Sequence, residues 1–138
     1  PWDIENIMKY PRTMVGIDGS HQEKKSKMGH PRGVATYPRI LGTFVREKGL
    51  LTLEQAIRKM TGLAAEMGGF TNKGTVEAGK DADFVVFDAD TIAGPADYGS
   101  ADLDNIGIKY VFVNGVMAVK DGKCTGARGG KMIFRPGK

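Results

Sequence analysis

The sequence predicts an α+β fold, and three observations carry that reading. Up to about residue 72 the apolar residues recur at helical spacing. Beyond it they fall in short runs of strand type, and two of those runs flank Asn114-Gly115, a pair suited to a tight hairpin turn. We therefore expect a largely helical part over 1–72 and a β-rich part over 73–138.

The elements follow in order. "DIENIMKYP" places Ile4, Ile7 and Met8 at helical spacing and is stopped by Pro11, after which Thr13 to Ile17 read as a short strand. That strand would end at Asp18. A polar loop then runs from Gly19 to about Thr36, long enough to be read as functional or mobile. In "YPRILGTFVREKG", Pro38 suits a first helical turn, Ile40, Leu41, Phe44 and Val45 share one face, and Gly49 is a C-terminal stop.

A second helix starts at Thr52, whose side chain and Gln55 form a capping-box pattern. Leu53, Ala56, Ile57, Met60, Ala64 and Met67 continue it as a stripe that ends at Gly68-Gly69. Further on, a turn at Gly79 precedes Phe84 to Phe87, an unbroken apolar run expected to be a strand covered on both faces. Asp121-Gly122 supplies another turn, and "GKMIFRP" reads as a possible last strand.

Composition narrows the function classes. A chain of 138 residues with 41% hydrophobic and 26% charged residues can build one moderate core. Its 20 Lys and Arg exceed 16 Asp and Glu by a net +4, but they are spread along the chain, which argues against nucleic-acid binding. No apolar run approaches the ~20 residues of a membrane span, and "PWDIENIMKYPR" lacks a signal peptide's apolar core. Cys124 is the only cysteine, so it reads as a small half-buried apolar residue in a reducing, cytoplasmic setting.

The candidate chemistry is sparse. Asp18 on its own is most simply a turn residue, yet a carboxylate at the end of a strand, opening a long loop, is also how barrel enzymes present catalytic groups. His21 and His30 lie nine apart in a loop and match no helical metal pair, so both read as surface histidines. Arg32 in "HPR" could grip a carboxylate with two parallel hydrogen bonds, although a solvated arginine is the simpler reading. "EKKSK", residues 23–27, is a solvated face. No G-x-S-x-G, Walker or Rossmann pattern is present.

"MVGIDG" followed by "HPR", "YPRILGTFVREKGLLTLEQAIRKMT", "KGTVEAGKDADFVVFD" and "VFVNGVMAVKDGK" nevertheless resemble the carboxyl-terminal part of the N-acyl-D-amino-acid deacylases (D-aminoacylases), in the amidohydrolase superfamily. The resemblance implies the last strand and helices of a (β/α)8 barrel over 1–72. It implies the carboxyl-terminal strands of a small β-sandwich or barrel domain over 73–138. It also implies a zinc-dependent hydrolase that cleaves N-acyl-D-amino acids.

By the same resemblance Asp18 approaches the metal and handles protons, Arg32 holds the substrate's α-carboxylate, and His30 supports the loop. Ile17 stands where the family usually has serine. The chain's two histidines and one cysteine cannot complete a zinc site with Asp18, so zinc is expected in the intact enzyme and none in this chain alone. A piece of an enzyme, inactive alone and prone to self-association through uncovered strand edges, is the resulting expectation. A related dipeptide or cyclic-amide amidohydrolase, and a non-catalytic β-rich accessory module, are the alternatives.

Overall fold

The computed structural model describes residues 2–19 and 29–134. Helix α1 (Trp2–Lys9) carries Asp3 and Glu5 in its first turn and Lys9 in its last, the charge order that the helix dipole favours. Ile4 and Ile7 lie on its exposed side, and Met8 packs against the core.

Thr13 to Ile17, expected as a strand, form none: the segment is irregular and makes no ladder among the described residues. A strand needs a neighbouring strand for its alternate N–H and C=O groups. Here the Val15 N–H instead donates to the carbonyl of Lys59 at 3.1 Å, at the carboxyl end of a helix, where carbonyls lack partners of their own.

Helix α2 (Arg32–Arg39) begins six residues earlier than Pro38, so the polar loop is shorter than the sequence suggested and Pro38 sits inside the helix. Proline cannot give the N–H that the carbonyl four residues back requires. The side-chain amide of Asn105 replaces it, donating to Val34 O at 2.8 Å. The helix then widens into a π-helical stretch, Ile40–Glu47, which Gly49 ends at φ +58°.

Helix α3 (Leu53–Met60) starts with the expected capping box: Gln55 N–H donates to Thr52 Oγ1 at 3.2 Å, and Thr52 N–H donates to Gln55 Oε1 at 3.0 Å. It does not continue to Met67. Thr61 leaves helical geometry at φ −127°, ψ −87°, and helix α4 (Gly62–Gly68) restarts in a new phase. Leu63 and Ala65 are therefore buried and Met67 is exposed.

The second part is a four-stranded antiparallel sheet in the order β1-β2-β3-β4: Phe84–Phe87, Ile108–Val113, Val116–Lys120 and Lys123–Cys124. Asn114 and Gly115 both take positive φ, 49° and 77°, as a type I′ hairpin demands. The Lys73 ammonium bridges Asp81 and Asp83, and Asp83 accepts the Asn114 N–H at 2.7 Å, fastening the start of β1 to the turn.

β1 is an edge strand, and contrary to the expectation of two covered faces its Phe84, Val85 and Val86 are exposed. Phe84 does stack on Phe112 across the ladder, with ring centroids 4.5 Å apart. Residues 131–134 form no strand, and the rest of that expected strand lies outside the described residues. Cys124 is exposed, not half-buried, because β4 is the other sheet edge.

One core joins helices and sheet. Ile40, Leu41, Leu51, Ala56 and Ile92 are buried together, with Phe87 and Ile108 packed against them. The segment between β1 and β2 is fastened to the helices by two arginines: Arg46 donates to Ile92 O at 2.6 Å, and Arg39 donates to the carbonyls of Gly94 and Ala96. Gly94 permits this approach, since a Cβ there would lie 2.6 Å from Ala35 O.

Candidate functional site at Asp18 and Arg32

The structure brings together the residues singled out as candidates. Arg32 Nη2 lies 3.1 Å from Asp18 Oδ2, and their side chains are 46% and 93% exposed, so the pair faces solvent. Two local features put them there. Pro31 caps α2 and places Arg32 in its first turn. Gly19, next to Asp18, passes so close to α2 that a Cβ would lie 3.1 Å from Gly33 Cα. The Asp-Gly pair thus lets the backbone reach the helix while the carboxylate turns outward.

His30 has a supporting position. Arg32 N–H donates to His30 Nδ1 at 3.1 Å, which leaves the ring proton on Nε2, and Nε2 faces the Tyr98 hydroxyl at 2.8 Å. The two rings meet edge to face, 5.0 Å between centroids. Tyr98 comes from the loop between β1 and β2 and escaped the sequence reading because "ADYGS" has no periodicity or motif. His21 lies outside the described residues, as does the lysine-rich stretch 23–27.

Lys59 is the other residue the sequence did not single out. Only 7% exposed, its ammonium donates to Tyr10 O, to Thr13 O at 3.0 Å and to Thr13 Oγ1 at 3.2 Å. Burial holds its pKa below the ordinary lysine value. A signal did exist: Lys59 follows the core residue Ala56 by three positions, which puts it on the same side of α3.

A zinc site needs three or more convergent ligands. Asp18 is one carboxylate, it is paired with Arg32, and no three His, Cys, Asp or Glu gather among the described residues. What the corner can do is bind an anion on Arg32 and exchange a proton at the adjacent Asp18.

Comparison with known proteins extends this picture. A D-aminoacylase of Alcaligenes xylosoxydans xylosoxydans is 38% identical over 133 residues, which is 96% of this chain and 27% of that protein. A D-aminoacylase structure described for its binuclear metal center superimposes with a TM-score of 0.83 at 40% identity, covering 91% of this chain and 26% of that one. The N-acyl-D-glutamate deacylase of Bordetella bronchiseptica, solved with zinc and a phosphonate inhibitor, superimposes with a TM-score of 0.77 at 38% identity, covering 88% and 26%. The chain thus spans about a quarter of the length of the curated relatives it matches. The amidohydrolase family pattern itself matches residues 18–119, from the candidate aspartate through most of β3. On that match the chain belongs to the amidohydrolase family.

Proposed function

We propose that these 138 residues are the carboxyl-terminal piece of a zinc-dependent amidohydrolase that cleaves N-acyl-D-amino acids to a carboxylic acid and a free D-amino acid. Residues 1–72 would belong to its barrel and 73–138 to its small β-domain. The observation that carries the reading is the Asp18–Arg32 pair at 3.1 Å. In an N-acyl amino acid the carboxylate and the scissile amide nitrogen sit on the same carbon. An enzyme for such substrates needs its carboxylate clamp within a few ångströms of its proton carrier, and this corner offers that spacing. A free-standing accessory module would have no use for it.

In this reading Arg32 takes the substrate carboxylate with two parallel hydrogen bonds and thereby releases Asp18 from its ion pair. Asp18 accepts a proton from the attacking water as the C–O bond forms, then returns it to the amine nitrogen as the C–N bond breaks. His30, held by Tyr98, keeps the start of α2 in place. Zinc belongs to the longer protein, whose further segments would supply the ligands missing here. The zinc in the deacylase of Bordetella bronchiseptica supports that assignment. The lone exposed Cys124 supports a reducing compartment, the cytoplasm.

The full-length, zinc-loaded protein should release D-amino acids from N-acetyl-D-amino acids and leave the L-enantiomers largely intact. Asp18→Asn should lower kcat by at least ~10²-fold, because the amide cannot accept the proton. Near-normal turnover by that variant would remove Asp18 from the chemistry. The isolated 138 residues should show no deacylation and, with Trp2, Ile7 and Val85 exposed, should scatter light as associated species.

A further inference from the structure

We propose that Lys59 is the positioning residue that seats Asp18, an inference that rests on the proton-transfer role given to Asp18 above. Lysine is almost never buried without a reason, because an ammonium loses its hydration there and needs replacement partners. Lys59 finds three, all uncharged oxygens, and all on the segment that leads to Asp18: Tyr10 O, Thr13 O and Thr13 Oγ1. An ammonium has three N–H groups, so every donor is committed to that segment.

The main chain of the same residue adds a fourth bond, since Lys59 O accepts the Val15 N–H at 3.1 Å. Thr13 is fixed in turn, its hydroxyl lying 2.7 Å from Ile7 O and 2.8 Å from Tyr10 O at the end of α1. The cleft of about 60 Å³ beside these partly buried bonds is lined mostly by apolar side chains, Ile7, Met8, Met14, Val15 and Leu51.

Distance makes the clamp matter. Asp18 is only three residue steps on from Val15, at most ~3.3–3.6 Å of chain each. On the far side Gly19 is pressed against Gly33. Asp18 therefore sits between two fixed points, one set by Lys59 and the other by α2. A methionine at position 59 would fill the same space without burying a charge, but it would take the ammonium donor from Thr13 O and Thr13 Oγ1, leave Tyr10 O only its bonds from Thr13 itself, and let the segment shift. Misplacement of a reacting group by ~1 Å can cost on the order of 10²-fold in rate.

The test uses the full-length enzyme carrying Lys59→Met or Thr13→Val, with steady-state kinetics and amide hydrogen exchange. Lys59→Met should lower kcat at least about tenfold with KM within about twofold, because Arg32 is seated separately by α2. Exchange should quicken in residues 10–18 and stay unchanged in the β2–β3 hairpin, a pattern that general loss of stability would not give. Thr13→Val removes one of the three acceptors, together with the hydroxyl's own bonds to the end of α1, and should show the same pattern at about threefold in kcat. If Lys59→Met does not accumulate as folded protein, Thr13→Val decides by the same criteria. A kcat within twofold of the parent, or exchange that rises equally in both regions, overturns the proposal. If Asp18→Asn is inactive while Lys59→Met keeps full kcat, only this inference falls; if Asp18→Asn is active, the functional reading beneath it falls first.

Discussion

The β2–β3 hairpin and the Asp18 corner are held by different physics. In the hairpin, Asn114 and Gly115 adopt the positive φ that their residue types tolerate, and the flanking strands pair directly across the turn. Neighbours in sequence decide the outcome. At the corner, local bonds reach only Thr13, at the end of α1, and among the described residues none is made along the stretch from Met14 to Asp18. The segment is fixed by Lys59, some forty-six residues away from Thr13, and by the contact of Gly19 with Gly33. Where local turn chemistry decides, a structure survives the loss of remote contacts, and where remote donors decide, it does not.

The largest expected effect that separates the two regions is on the hairpin. Gly115→Val forces a β-branched residue to a φ of +77° and should destabilise the chain by about 1–3 kcal/mol. Chemical denaturation would measure it, and the kinetics of the remaining folded enzyme should be unchanged. A change in kcat per folded molecule would mean that the hairpin and the corner are coupled.

Next is Arg32→Lys, which acts on the corner alone. An ammonium cannot reproduce two parallel guanidinium bonds, so KM should rise about tenfold, the worth of one charge-assisted hydrogen bond. Thermal stability should hardly move, because the Asp18–Arg32 pair is solvent-exposed. Thr52→Ala tests local encoding on the helical side. Loss of the capping box at α3 should cost about 1 kcal/mol, seen as a lower Tm.

The smallest effect is a pH dependence of the β-region. Hydrogen bonds from Lys73 and from the Asn114 N–H hold the Asp83 carboxyl below the ordinary carboxylate range. Its contribution is present above the unfolded aspartate pKa and is lost as pH falls through the lowered folded value. Lys73, raised by Asp83 and Asp81, keeps its contribution below the unfolded lysine pKa and loses it as pH rises through the raised one. The pair is partly exposed, so Lys73→Met should flatten the acid limb of stability by less than about 1 kcal/mol.

The same division explains what could be read from the sequence. Asn114-Gly115, Asp121-Gly122, Gly49 and the Thr52–Gln55 box all act within a few residues, and all stand where the sequence places them. The start of α2 at Arg32 was not legible, because a helix containing Pro38 is tolerated only with Asn105 donating to Val34 O from across the fold. Nor was the break at Thr61, which rephases the apolar stripe and turns Met67 outward. At the site, Asp18, His30 and Arg32 were legible as candidates, whereas Lys59 and Tyr98 act through contacts 46 and 68 residues distant in sequence.

The claim on which the rest depends is that Arg32 reads a substrate carboxylate beside the proton carrier Asp18. The most direct measurement compares N-acyl cleavage of an N-acetyl-D-amino acid with that of its methyl ester by the full-length enzyme. Esterification leaves the amide intact and removes the charge, so kcat/KM should fall by about 10²-fold, and Arg32→Lys should narrow that gap. Equal kcat/KM for acid and ester, with or without the substitution, would contradict the account.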